Sequence, residues 1–344
     1  MQDVMQTVRR IVQRLAEAEA QRRSLAGMIR NLPGSSLVVR ATPHPLDPLQ
    51  VAAVDGGLMK KSLHGMDCLL VRAAAVCFRY TGGKVGSVAY FPSRDPAPRA
   101  EVFEALSEIE WSQFASLHRL LEEIRTAAQA LEQFQPDLLL LDGMLLPHYL
   151  DKPAAASPLG SLYQQVLGEY RLLFARAREH HVALAGVVED SRNTAFCEYL
   201  GSEILPRLGP PGPELELLQQ TRDSALLFHL LERGERTMPL PTSNPVAAEI
   251  GAPPLQTFYL KTARFDRPLR VDFVPETVEI DALAGMLLAV SGQHAGYGMP
   301  APIIEADQVA RLTEGEMDRF YVSILSQAGS LSATMRLRRD QRPF

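Results

Sequence analysis

VAAVDGG at residues 51–57 and PDLLLLDGM at 136–144 decide how this chain folds. Each is a short apolar run that ends in Asp-Gly. A wholly apolar run of this length, bounded by turn residues, is the pattern of a strand buried on both faces. Asp-Gly is also the best tight-turn dipeptide, so either segment taken alone reads first as a corner. Finding both in one chain, each after a core strand, points instead to a pair of aimed carboxylates, Asp55 and Asp142. Two ionised carboxylates a few ångströms apart in partly dry surroundings repel. One must then take a proton, or both must share a divalent cation.

Working outward, DCLLVRAAAVCFRY (67–80) and KVGSVAYF (84–91) are β-rich and are joined by the turn signal TGGK. With 51–57 they predict a three-stranded antiparallel meander. The prolines of PSRDPAP keep the next stretch from being helical, and residues 100–134 then read as helix up to Pro136. A second helix fits 160–180, and VALAGVVED (182–190) is another buried strand. LELLQQTRDSALLFHLLERGE (215–235) looks helical, TFYLKTARFDRPLRVDFVP (257–275) reads as two strands around a turn, and 276–291 and 302–326 are helical by composition. At the start, Val4, Val8, Ile11, Val12 and Leu15 make one apolar stripe on a helix over 1–31, either a subunit-packing element or part of the core.

Composition narrows the class. Lys and Arg total 35 against 40 Asp and Glu, a net charge of −5, which excludes a general basic coat for duplex DNA and leaves any nucleic-acid contact to local patches. Cys68, Cys77 and Cys197 are odd in number and widely spaced, so they predict small buried hydrophobes rather than disulfides or a zinc knuckle. No apolar run is long enough to cross a bilayer and the first residues are polar, which leads us to expect a cytoplasmic protein with no membrane partner.

The predicted order β-β-β-α-β-α-β is that of the ribonuclease-H-like fold, an α/β class built on a mixed five-stranded sheet flanked by helices. In that fold the first and fourth strands are central neighbours, which places Asp55 beside Asp142. A glutamate from the first long helix completes such a site, but Glu101, Glu104, Glu108, Glu110, Glu122, Glu123 and Glu132 are all available, and composition cannot choose among them.

The strings VAAVDGG (51–57), LLEEIRTAAQALEQFQPDLLLLDGMLL (120–146), GVVEDS (186–191), FYLKTARFDRPLRVDF (258–273) and GYGMPAPIIEADQVARL (296–312), taken in series, resemble the NurA nuclease family. The resemblance implies a manganese- or magnesium-dependent DNA exonuclease and single-strand endonuclease, a hydrolase of 5′-to-3′ direction, with two ions. It also implies a role in DNA end resection beside a HerA-type hexameric ATPase, and a homodimer. Asp55 and Asp142 match the two strand aspartates, Glu123 the helix glutamate, and Asp307 the position where the family usually has histidine; Tyr297 matches the tyrosine before it. Asp55 would bridge the two ions, Asp142 and Glu123 would hold one each, and Asp307 would help hold the ion that activates water. Two other departures are Glu189 where lysine is common, and Gly57 and Met144 where serine follows each Asp-Gly.

The implied organisation is a helical arm and connector (1–48), a nuclease domain (49–328) with an insertion at about 200–295, and a basic tail (329–344). Candidate DNA contacts are Lys60, Lys61, Arg264, Arg267 and Arg270, with Arg336, Arg338, Arg339 and Arg342 in the tail. His180 and His181 read as surface residues and Trp111 as core. Two other functions compete. A NurA-like subunit that has lost catalysis would serve as a dimeric docking partner of the ATPase. An actin-like phosphotransferase shares the core fold, but it needs a second glycine-rich phosphate loop that the chain does not clearly offer.

Overall fold

The computed structural model describes residues 2–32, 36–208 and 212–337. The chain opens with helix α1 (Gln2–Arg30) and strands β1 (Val38–Arg40), β2 (Leu49–Leu63), β3 (Met66–Thr81), β4 (Lys84–Phe91) and β5 (Arg99–Glu104). Helix α2 (Glu108–Phe134) leads to β6 (Leu138–Asp142), and α3 (Gly160–Glu179) to β7 (Ala183–Val188). Four short helices follow, α4 (Ala195–Tyr199), α5 (Leu205–Leu208), α6 (Pro213–Gln219) and α7 (Asp223–Leu230). Strands β8 (Glu235–Thr237) and β9 (Leu240–Pro241), helix α8 (Val246–Ile250), β10 (Gln256–Leu260) and β11 (Leu269–Phe273) come next. Helices α9 (Ile280–Val290), α10 (Ala301–Ala310), α11 (Glu314–Ala328) and α12 (Ser332–Met335) close the described chain.

The strands form one mixed sheet in the order β1-β8-β10-β11-β7-β6-β2-β3-β4, with β5 on β3 and β9 on β10. The expected five-stranded core is present as β4-β3-β2-β6-β7, with β2, β3 and β4 antiparallel and β2, β6 and β7 parallel. The sheet is larger than five strands, because residues 235–273 do not sit outside it but extend it from the free edge of β7. Unpaired backbone groups at that edge favour such an addition.

The helices cover both faces. Leu117, Leu121, Ile124 and Leu131 of α2 follow a helical stripe and are at most 2% exposed. Burying each stabilises the fold by roughly 1.5–3 kcal/mol. They pack with α3 on the face that carries Ala52, Val54, Leu139 and Leu141. Helices α9 and α10 cover the opposite face, against Val51, Ala53, Leu138 and Leu140.

Several expectations change. Residues 99–104 form a strand on β3 rather than the start of the long helix, which begins after Ser107 accepts a capping hydrogen bond from Glu110 N. The single helix read over 215–235 breaks into α6 and α7 and then passes into β8, and the helical stretch 302–326 is broken at 311–313. On α1 the apolar stripe stays outside: Val4, Val8, Ile11, Val12 and Leu15 are all exposed, and the helix is held by Leu25, Ala26 and Ile29 near its end, which pack with Leu226, Leu227 and Leu230. The three cysteines and Trp111 are buried, and His180 and His181 are exposed. Arg336 is exposed; Arg338, Arg339 and Arg342 lie outside the described residues. No helix among the described residues is long and apolar enough to cross a membrane.

Below α7 sits a buried anchor. Asp223, with no exposed surface, accepts hydrogen bonds from Phe196 N (3.1 Å), Cys197 N (2.9 Å) and the Tyr259 hydroxyl (2.8 Å). Asp223→Ala strands three donors and is expected to cost about 3 kcal/mol, read as a shift in the urea midpoint.

Candidate metal-binding active site

Strands β2 and β6 run parallel, with Val54 opposite Leu141 as their last paired residues. Asp55 and Asp142 follow one step later on each strand, so the two carboxylates leave neighbouring strands about 4.8 Å apart. The Asp-Gly steps turn out to differ. Gly143 has a positive φ of 121° and does end its strand, whereas β2 runs straight through Gly56 and Gly57 to Leu63, paired with β3 alone. Asp55 is therefore mid-strand, at the point where its β6 neighbour stops.

Side-chain alternation sets the faces. Asp55 and Asp142 share the α10 face with Val51, Ala53, Leu138 and Leu140, and α10 brings Asp307 to it. Gly56 points at α2, and a side chain there would meet Glu123 Oε2 at 3.0 Å. The missing side chain is what lets Glu123 reach the sheet. Of the seven glutamates open to choice, Glu123 is the one that is buried, at 3% exposure.

Charge ties the group together. Burial, then the carboxylates of Asp55 and Asp142 against the opposing pull of Arg119, pushes Glu123 up to about 8. Burial and the charges of Asp55, Asp307 and Glu189 push Asp142 up to about 7. Burial raises Asp55 as well, and Asp307 adds to it, although Gly56 N donates to its Oδ1 at 2.7 Å. Burial together with Glu189, Asp142 and Asp307 lifts the Tyr297 phenol to about 12, which places this half-exposed ring at the same mouth. Asp55, Glu123, Asp142, Asp307 and Tyr297 are thus linked by the charge they exert on one another.

Two further residues join them. Arg119 donates to Glu123 Oε2 at 2.7 Å, a pair visible in the sequence as an i, i+4 spacing on α2. Glu189 follows β7, whose Val187 is paired with Asp142.

Hard carboxylate oxygens suit manganese or magnesium, and a shared cation relieves the repulsion that adds to burial in raising these groups. The donor set therefore fits the metal. Among the described residues no group of three or more acidic, histidine or cysteine side chains is placed so that it could hold a metal ion.

A cleft of about 670 Å³ begins at Gly143 and Met144, directly past Asp142, and is lined by Arg119, Arg192, Asn193 and Arg270 among others. Of the expected DNA contacts at 60, 61, 264, 267 and 270, only Arg270 lines it. Arg270 lines the cleft but is held by Asp272 at 3.0 Å. Arg264 and Arg267 are exposed on the β10–β11 turn. Lys60 lies 5.9 Å from the Trp111 ring, and Lys61 is occupied by Asp318 (3.4 Å) and the Tyr321 ring (3.9 Å).

The NurA domain model matches residues 49–312. The chain belongs to the NurA family. The NurA nuclease of Sulfolobus solfataricus shares the fold with a TM-score of 0.64 at 15% identity, over 94% of this chain and 95% of that one. A NurA structure bound to dAMP and manganese superposes with a TM-score of 0.57 at 12% identity, over 96% of this chain and 99% of that one. A NurA structure with manganese gives 0.56 at 11% identity, over 95% and 99%. No curated protein matches the chain in sequence.

Proposed function

We propose that this NurA-family chain is a divalent-metal-dependent DNA nuclease that hydrolyses phosphodiester bonds at the mouth formed by Asp55, Glu123, Asp142 and Asp307. The observation that carries the reading is the in-register adjacency of Asp55 and Asp142, with Glu123 reaching them through the gap at Gly56. The manganese and dAMP of the related NurA structures support the choice of cation and substrate.

Manganese or magnesium would supply the chemistry that makes a water nucleophilic and stabilises the leaving oxygen. Asp55 and Asp142 would hold the cation from neighbouring strands, Glu123 from the α2 side and Asp307 from α10. Asp307, where the family has histidine, keeps a hard oxygen donor. Arg119 holds Glu123 in place and offsets part of the charge. Tyr297, beside Glu189, orients the phosphate at the mouth. Met144 and Gly57 supply no hydroxyl, so catalysis does not depend on one there.

Resection of DNA ends in a 5′-to-3′ direction as a homodimer, fed by a HerA-type ATPase ring, belongs to the same reading. A chain of net charge −5 gains from a motor that delivers its polyanionic substrate. The test is cleavage of linear DNA. We expect cutting with manganese or magnesium and none after chelation; cutting that survives chelation overturns the proposal.

A further inference from the structure

Away from the carboxylates, Arg40, Arg233, Lys261 and Arg264 line a second pocket of about 750 Å³, with Glu232 as its acidic member. Arg40 is paired with Glu232 and Glu235. Among the described residues the other three make no ion pair. Lys261 is 5% exposed, and its Nζ donates to Phe228 O at 2.6 Å above the Phe228 ring. Arg233 Nε donates to Thr262 O at 3.2 Å. Neutral partners fix both side chains, so neither is tied up in an ion pair, although Asp266, Glu232 and Glu235 lie near enough to Lys261 to act on its charge. A held, unpaired set of cations facing a pocket is a phosphate-binding arrangement.

Topology connects this pocket to the carboxylates. Strand β10 is antiparallel to β11, which is antiparallel to β7, so β6, β7 and β10 all end at one rim. Asp142, Glu189 and Lys261 stand at those three ends. Three strand spacings separate β6 from β10, or about 14 Å. Between them the 291–298 loop is clamped to the β10–β11 turn: Phe265 N donates to Ala295 O (2.9 Å), Gly298 N to Asp266 Oδ2 (2.7 Å) and Thr262 Oγ1 to Gly298 O (2.7 Å). Tyr297 faces the carboxylates from this loop, and Gln293 and Ala295 of the same loop line the pocket.

We infer that this pocket grips the backbone phosphates of one DNA strand several nucleotides away from the bond that is cut. The inference rests on the nuclease reading. About 14 Å corresponds to roughly four nucleotides at ~3.4 Å each, so the grip is felt only by strands longer than that. The pocket encloses a short length of one strand and has no room for a duplex.

The experiment is fluorescence anisotropy with labelled single strands in a chelator, where nothing is cut. Strands of about 20 and about 3 nucleotides are compared across salt concentrations, on either side of the roughly four-nucleotide span. The proteins are the native chain, Arg264→Glu, Arg233→Gln, and Lys84→Glu at the opposite rim. We expect Arg264→Glu and Arg233→Gln to weaken binding of the long strand about tenfold and to lower its salt slope by about 0.7 for each phosphate that is no longer held. The short strand and Lys84→Glu are expected to behave as native. Native-like binding by both pocket variants, an equal loss in Lys84→Glu, or no binding by the native chain overturns the inference. Pocket variants that bind normally while the native chain still cuts leave the carboxylate site standing. Weakened binding in those variants, with cleavage unaffected in Asp55→Asn, instead overturns the nuclease site and keeps the grip.

Discussion

Asp55→Asn is expected to abolish manganese- or magnesium-dependent cleavage of linear DNA, by on the order of 10³-fold or more. Asparagine keeps the size and one oxygen, and it lies in a strand held by its β3 ladder through Asp55 and Ala74, so the fold survives. What is lost is the charge at the one position flanked by Asp142 on the next strand, Glu123 from one face and Asp307 from the other. Metal-assisted stabilisation of a phosphoryl transition state is worth several kcal/mol, and each ~1.4 kcal/mol is tenfold in rate. The measurement is the cleavage rate of a labelled duplex at saturating metal, with thermal unfolding as the check on the fold. Equal rates for native and variant would show that Asp55 holds no metal.

Gly57→Ala is expected to destabilise the protein by roughly 3 kcal/mol, as overpacking against immovable backbone does, and to depress cleavage as well. A β-carbon at Gly57 would run into the carbonyl oxygen of Ala310, the last residue of α10, with Ala310 C at 3.1 Å. That end of α10 cannot drift outward freely, since Arg72 donates to Arg311 O at 2.9 Å and is paired with Glu316. Any shift that relieves the clash moves Asp307, which sits one turn back on the same helix. Gly27→Ala is the contrast: nothing lies within 4 Å of the added atom on α1, and a stabilisation of up to about 1 kcal/mol is expected from helix propensity. Denaturant titration of both variants, with the cleavage rate of Gly57→Ala, checks the pair. A native-like midpoint for Gly57→Ala would mean that α10 does not bear on β2 as described.

Much of the core is legible in the sequence. The meander, the two helix-strand units and the β10–β11 pair all announce themselves through short-range periodicity, and their order implies that Asp55 and Asp142 are neighbours. Residues 100–104 read as helix because no breaker separates them from the helix that follows; only pairing with β3 makes them a strand. The apolar stripe of α1 is a genuine helical signal, yet it does not tell whether the stripe is covered, and in this chain it is not.

The sequence by itself determined the strand and helix succession and the two aspartates that end up side by side, because both follow from local pattern and chain order. Tertiary structure alone decided which of seven glutamates is the buried one, since that choice depends on Gly56 leaving room where α2 crosses β2. It also decided that Asp-Gly is a turn at 143 but a straight strand at 56. That β8, β10 and β11 join the main sheet at β7, and that Arg233, Lys261 and Arg264 meet in one pocket, follow for the same reason. Each of these is a contact between residues far apart in the chain, and no local spacing encodes where such segments cross.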